Sequence, residues 1–371
     1  MYSLNMIKKV KMINIYNMIL YFLLFCIQFF SNAELLSSSW NLTSVNLDDD
    51  ALIWRFTIWR DRAFLAIPRR KNDIKNKRYT LVEAPWPEIS EDERNFALRP
   101  FPNSNSQSNI DNCFRSLRCV VALDIDSKGR LWVLDVPTEK RCSPKIIIYH
   151  LLRNNQELKR IELSNVSTAN LRSLVTYTDS YDTRAYIGDP GDESIIVYSL
   201  EHQRWWRIKL EHDSYIPKVY SSDLAICCKS SLLYFTGYPS HDLFSLNLED
   251  LQEMEESTEK IIKSANISWH GKKLGSSSGL FCDKKQGLHY FMINDKASVR
   301  WDSNLELTAE NHLVLLQTED VPYITHYAAD SQKHVWGLSN VWFPFQEESY
   351  NDFDTKLKTR TIKVFNYSQY S

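Results

Sequence analysis

The sequence predicts an all-β chain folded as a six-bladed β-propeller, on three observations: a repeated unit, an aromatic strand in each copy, and an absence of sustained helical periodicity. The clearest unit is LDIDSKGRLWVLDVP, in which an apolar and acidic start leads through a polar turn at Gly129 into the strand from Leu131 to Leu134, closed by Asp135. Related units follow as YTDSYDTRAYIGDPGDESIIVYSL, LAICCKSSLLYFTGYPSHDLFSLNL, LFCDKKQGLHYFMINDKASVRWD and YAADSQKHVWGLSNVW. Their aromatic positions, Trp132, Tyr186, Tyr234, Tyr290 and Trp336, are spaced by 54, 48, 56 and 46 residues. A β-sandwich has no need of such a period. Radially arranged four-stranded sheets do, because each buries both faces and leaves few open edges.

Taken in order, the run from Arg62 to Ile67 with Phe64 supplies a first unit, separated from the second by a long insertion that contains Cys113. That brings the count to six. After each aromatic strand comes a short turn and another strand, as in SIIVYSL, DLFSLNL and SVRWD, which gives hairpins rather than helical crossovers. The Glu-rich stretch from Leu248 to Lys263 is the one segment with a helical pattern, read as a short surface helix.

The start of the chain carries Lys8, Lys9 and Lys11, an apolar run from Met18 to Phe30, and then Ser31, Asn32 and Ala33. This pattern predicts a secretory signal peptide over residues 1–33 and one propeller domain over residues 34–371. A run of about 13 residues is short for a bilayer, so no membrane anchor is expected. With 44 Lys and Arg against 46 Asp and Glu, net charge is −2, which gives no reason to expect nucleic acid as a partner. The cluster of Arg69, Arg70, Lys71, Lys75, Lys77 and Arg78 reads as a solvated loop.

Cys26 belongs to the leader. Six cysteines remain as disulfide candidates, Cys113, Cys119, Cys142, Cys227, Cys228 and Cys282, and residue spacing leaves their pairing open. Adjacent residues of a strand face opposite ways, so Cys227 and Cys228 should reach different partners. Sequons at Asn41, Asn165, Asn266 and Asn366 are glycosylation candidates.

The motifs CVVALDIDSKGRLWVLDVP, CSPKIIIYHL, RAYIGDPGDESIIVYSL with RWWRI, and VWGLSNVW occur in an order that resembles the Yellow and major royal jelly protein family. The resemblance runs from about Trp59 to Phe345 and implies a secreted six-bladed propeller. It also implies a disulfide joining the Cys113 or Cys119 region to Cys142. Lys128 and Tyr181 stand where the family tends to have cysteine, so a bridge usual in the family is expected to be missing, and Cys227, Cys228 and Cys282 look like additions.

Chemistry is sparse. Gly275 to Gly279 fits the G-x-S-x-G pattern, but no helix is expected after it, so it reads as a Ser-rich turn. No zinc-type spacing of His or Cys and no glycine-rich phosphate loop occurs, so neither metal nor cofactor is expected. His326 and His334 flank a turn and read as structural. Asp135, Asp189 and Asp295 end aromatic strands and so share one rim as possible channel acids. The family's amine-binding members imply a ligand site at Thr325, Asn340 and Trp342, where a hydroxyl and an amide orient the ligand and an aromatic face stacks on it.

The expectation is therefore an extracellular, non-catalytic protein of cuticle pigmentation, the melanin pathway or eggshell. Its expected partners are a small aromatic amine or catechol-derived ligand in the central channel and the matrix of cuticle or eggshell. The alternative is a dopachrome-converting tautomerase, for which Asp189, Asp295 and His326 are the candidate proton-transfer groups.

Overall fold

The computed structural model describes residues 37, 38, 40, 42–45, 47, 51–69, 78–87, 98–108, 112–167, 170–216, 218–256, 262–341 and 359–367. The predicted signal peptide lies outside them. Residues Ser38–Ser371 form one compact unit.

Six sheets follow one another along that unit, antiparallel but for one parallel strand at the outer edge of the third. Blade 1 consists of Arg55–Trp59, Arg62–Ala66, Leu81–Pro85 and Arg99–Pro100; blade 2 of Val120–Ile125, Arg130–Asp135, Lys145–His150 and Gln156–Glu162. Blade 3 begins Leu174–Thr178, Thr183–Asp189, Ser194–Ser199 and Arg204–Glu211; blade 4 holds Asp223–Cys227, Leu232–Thr236, Asp242–Asn247 and Ser268–Lys272. Blade 5 runs Ser277–Cys282, Gly287–Met292, Ala297–Asp302 and His312–Gln317, and blade 6 contains Tyr323–Ala329, His334–Asn340 and Arg360–Asn366. The first strand of each blade neighbours the first strand of the next, and that of blade 6 packs against that of blade 1, which closes the ring.

The sequence period marks the second strands. Phe64, Trp132, Tyr186, Tyr234, Tyr290 and Trp336 all sit on them and all are buried. Each contributes about 2–3 kcal/mol by leaving water. The apolar side chains collect in clusters between consecutive blades: Phe56 and Leu338 join blades 1 and 6, Phe64 and Val133 blades 1 and 2, and Trp132 and Ile187 blades 2 and 3. Alternation of side chains along a strand supplies one face to each neighbour, so every blade is apolar on both sides.

Three expectations change. Part of the long insertion supplies the two outer strands of blade 1. Arg69 is a buried hub rather than a solvated loop residue, donating to the carbonyls of Arg78 at 2.5 Å, Gln107 at 3.2 Å and Leu117 at 3.4 Å. The segment Gly275 to Gly279 is no free turn, since Ser277–Cys282 is the inner strand of blade 5 and Ser276, Ser277 and Ser278 are buried.

The helix expected at Leu248 spans Leu248–Glu256, with Leu248 and Leu251 turned into the core. After it, Ile262–Asn266 pairs in parallel with Arg204–Glu211 and covers the outer edge of blade 3. Among the described residues no helix is long and apolar enough to cross a membrane.

Two disulfides form. Cys113 joins Cys142, as the resemblance implies, and Cys227 joins Cys282, while Cys119 is a buried free thiol and Cys228 an exposed one. Six candidates thus give four bridged cysteines: Cys227 ends its strand, and Cys228, expected to reach a partner of its own, lies in the turn after it as a free thiol. Lys128 and Tyr181 are both exposed. Asn165 and Asn266 are exposed and Asn366 half-buried; Asn41 lies outside the described residues.

Candidate ligand-binding site

In an antiparallel blade the start of the first strand and the end of the second share an edge, so these segments of all blades converge on one rim. There the propeller holds a cavity of about 190 Å³. Trp54 enters it from just before the inner strand of blade 1, and Asn170 and Arg172 from the approach to blade 3. Lys218, Tyr220, Ser222 and Asp223 come from the entry to blade 4. The turns after the second strands of blades 3 and 4 add Pro190, Gly191 and Tyr238, and the inner strands of blades 5 and 6 add Ser278 and Thr325.

The last two depend on irregular pairing. The ladder of blade 6 slips at Thr325, between Ile324 and His326, and that of blade 5 slips at Gly279, beside Ser278. A bulge leaves one residue unpaired and re-aims its neighbours. Gly279 has φ +65°, a conformation that strains any side chain, and a Cβ there would lie 3.2 Å from the ring of Tyr327, a tight contact that the ring would have to yield to. Ser278 Oγ then donates to the Ile324 carbonyl at 2.7 Å and ties the two bulged strands together.

An ion pair forms the floor. Arg55 donates to Asp223 Oδ1 at 2.7 Å and to the carbonyl of Thr325, and Asp223 also accepts the Gly279 N–H. Burial pulls the Arg55 guanidinium pKa down and pushes the Asp223 carboxyl pKa up, and their mutual attraction opposes both shifts. Deeper along the axis lies a space of about 10 Å³ bounded by Arg55, Asp223, Leu123, Leu174, Leu280 and His326. That volume is at the limit for one water. Burial, reinforced by the nearby Arg55, holds the His326 pKa well below its ordinary value, so its ring is neutral.

Thr325 and Asn340 are brought together, but only Thr325 is a wall residue. Asn340 is buried behind it, donating to Thr325 Oγ1 at 2.6 Å and to the Ile53 carbonyl at 2.9 Å. Trp342 lies outside the described residues. The three rim acids share the cavity's edge of the fold without being among its lining residues. Asp135 is buried, paired with Lys145 at 2.5 Å and accepting the backbone N–H groups of Arg118 and Cys119. Asp189 pairs with Arg207 at 2.9 Å, and Asp295 is exposed on its turn.

Sequence reasoning missed Arg55, Arg172, Lys218 and Asp223. A signal existed for two of them: Arg55 interrupts the apolar run IWRFTI, and Asp223 opens the strand DLAIC. Neither charge belongs inside a sheet unless the two are paired.

These features define a closed propeller with a small, aromatic-lined recess at one rim. Residues 118–365 match the family described as Major royal jelly protein. The chain belongs to that family. It is 25% identical over 293 residues to Major royal jelly protein 5 of Apis mellifera, covering 71% of this chain and 46% of that one. It is 22% identical over 347 residues to Protein yellow of Drosophila melanogaster, covering 81% and 61%, and 27% identical over 182 residues to Dopaminechrome tautomerase of the same species, covering 46% and 37%. The chain thus spans less than two thirds of the length of each of these relatives. Among solved structures, virginiamycin B lyase from Staphylococcus aureus aligns over 86% of this chain and 97% of its own, with a TM-score of 0.48 and 12% identity.

Proposed function

We propose that this chain is an extracellular, non-catalytic binder of small aromatic molecules, acting in pigmentation or in the matrix of cuticle or eggshell. The observation that carries the reading is the lining of the rim cavity. Trp54, Tyr220 and Tyr238 offer ring faces or edges, and Ser222 offers a hydroxyl that orients a ligand, while the buried Thr325 hydroxyl is already engaged by Asn340 and the Trp54 carbonyl. A volume of about 190 Å³ suits a single-ring or fused two-ring molecule. Extracellular residence is supported by the two disulfides, which persist in oxidising compartments, and by the apolar run before Ala33.

The relative named Dopaminechrome tautomerase favours a second, enzymatic reading. Tautomerisation needs a group that takes and returns a proton. Asp223 is the acid in the lining, and it is held in its ion pair with Arg55. This supports binding over catalysis.

Calorimetric titration of the secreted protein with catechol and indole compounds, in parallel with a dopachrome conversion assay, separates the two readings. Saturable binding without turnover supports the binder. Turnover that survives dilution and is lost in Asp223→Asn overturns it in favour of the enzyme.

A further inference from the structure

Within the reading of an aromatic-binding cavity, on which it rests, we infer that Lys273 is a positioning residue: its ammonium holds the turn that carries Tyr238 and so sets the grip on an aromatic ring. Tyr238 stands in the turn from Gly237 to His241, between the second and third strands of blade 4, and shares the cavity lining with Trp54 and Tyr220. Lys273 follows the outer strand of the same blade and is buried against that turn. Its Nζ donates to Thr236 Oγ1 at 2.6 Å, to the Ser240 carbonyl at 3.1 Å and to the Asp242 carbonyl at 3.3 Å. Its backbone N–H donates to the His241 carbonyl at 2.7 Å. An ammonium has three N–H groups, and each finds an acceptor here. One side chain thus joins both ends of the turn to its middle.

The turn is also packed closely on the rest of the wall. A Cβ on Gly237 would lie 2.9 Å from Ser222 Cβ and 3.2 Å from Tyr220 Cβ, so its backbone rests directly on the segment that enters blade 4. Tyr220, Ser222 and Tyr238 therefore form one wall, and Lys273 ties the part of it that could lift. Among the described residues, the charged groups that act on Lys273 are Asp242, which accepts the Trp269 indole N–H at 3.1 Å, and Asp223, paired with Arg55. Burial brings the Lys273 pKa down to about 7 against the attraction of both carboxylates. Above that pH the amine keeps two N–H groups for three acceptors, and the turn loses a tie. Folding and binding then answer pH in opposite senses. A lysine whose folded-state pKa is depressed lends stability that is full above its unfolded value of about 10 and is lost as pH falls through about 7. The grip on a ring is strongest on the acid side, where the ammonium is whole.

The test titrates indole, which stays uncharged throughout, into the intact protein by calorimetry from about pH 6 to about pH 9. Affinity should fall roughly fivefold across that range, the scale of one lost hydrogen bond, and binding near neutral pH should take up protons, read from the heats in buffers of different ionisation enthalpy. Lys273→Met should bind indole more weakly and without that pH dependence. Tyr238→Leu should do the same, because the lysine acts through the ring, and adding Lys273→Met to it should cost no further affinity. Thermal melts should run the other way, wild type gaining stability relative to Lys273→Met as pH rises from about 7 to about 9. Should Lys273→Met not fold, the wild-type and Tyr238→Leu profiles decide. A flat wild-type profile, or a pH dependence that survives in Lys273→Met or Tyr238→Leu, overturns the inference while aromatic binding stands. If wild type shown to be folded by circular dichroism gives no heat with indole on the acid side, the cavity reading itself falls and the inference with it.

Discussion

Asp126 and Trp132, six residues apart across the first turn of blade 2, are joined by a hydrogen bond of 2.8 Å from the indole N–H to Oδ2. The same step recurs from Asp283 to His289 at 2.9 Å and from Asp330 to Trp336 at 2.8 Å. In each case the other carboxylate oxygen accepts backbone N–H groups two and four residues on: Lys128 and Arg130, Lys285 and Gly287, Gln332 and His334. One carboxylate therefore closes the turn and fixes the ring that packs between blades. Gly129, at φ +71°, gives the blade 2 turn the left-handed step it needs.

Asp126→Ala should then unfold at markedly lower denaturant, with a loss of about 3 kcal/mol or more, because it strands buried donors and the Arg130 guanidinium at once. Trp132→Phe removes the indole donor and some volume but leaves the turn closed, and should cost less. Equilibrium urea unfolding of the two variants measures the ranking. Equal losses would show that the ring, and not the turn, is what the carboxylate supports.

The cysteines give a chemical prediction. Cys119 is buried, and burial beside Asp135 pushes its thiol pKa up to about 12, so it stays protonated and sheltered at neutral pH. Cys228 is exposed. A maleimide should label Cys228 alone in the native protein and Cys119 only after unfolding, with peptide mapping returning the 113–142 and 227–282 bridges. Replacing both Cys227 and Cys282 with Ser should cost on the order of 4 kcal/mol, the chain-entropy value for a loop of 55 residues. Native labelling of Cys119 would contradict its burial.

Asp283 supplies a pH dependence. Burial alone would raise its pKa, but hydrogen bonds from His289 and Arg300, at 2.9 and 2.6 Å, outweigh it and hold the carboxyl well below the ordinary range. A depressed folded-state pKa means stability that is fully present above about pH 4, the unfolded value, and lost as pH falls through the folded one. Wild type should therefore lose more stability between about pH 5 and pH 2 than Asp283→Asn does. Thermal melts across that window read the difference. Parallel curves for the two proteins would remove Asp283 from the acid response.

The repeat was legible because its signal is local: an aromatic on the second strand, six residues after a turn acid in DSKGRLW and DSQKHVW, shows in the letters themselves. The rim was legible too, since strand ends alternate by rule, and Asp135 and Asp189 do lie at that edge. Their partners were not. Lys145 is ten residues from Asp135 and stands opposite it on the next strand, whereas Arg207 is eighteen residues from Asp189 and reaches it diagonally across the intervening strand, so only the assembled sheet brings either pair together. The cavity was the least legible part. Its floor joins Arg55 to Asp223 across 168 residues, a contact made by closing the ring.

That floor yields the last prediction. Arg55 and Asp223 are both buried, at 3% and 7% exposure, so each charge depends on the other for the solvation that water no longer supplies. Arg55→Met leaves the Asp223 carboxylate with the Gly279 N–H and more distant Lys273, and Asp223→Asn leaves the guanidinium with carbonyls of Thr325 and Ser222. Either single change should destabilise by about 3–5 kcal/mol, the usual cost of a stranded buried charge. The double variant Arg55→Met with Asp223→Asn should recover part of that loss, since no charge is then left alone. Arg55→Met should also change the cavity, because an Asp223 without its partner becomes an acid available to an entering ammonium. Dopamine affinity should rise in that variant if the folded fraction is kept high. Urea unfolding and titration of the four proteins measure both effects. Strict additivity of the two single losses would show that the residues do not act as a pair.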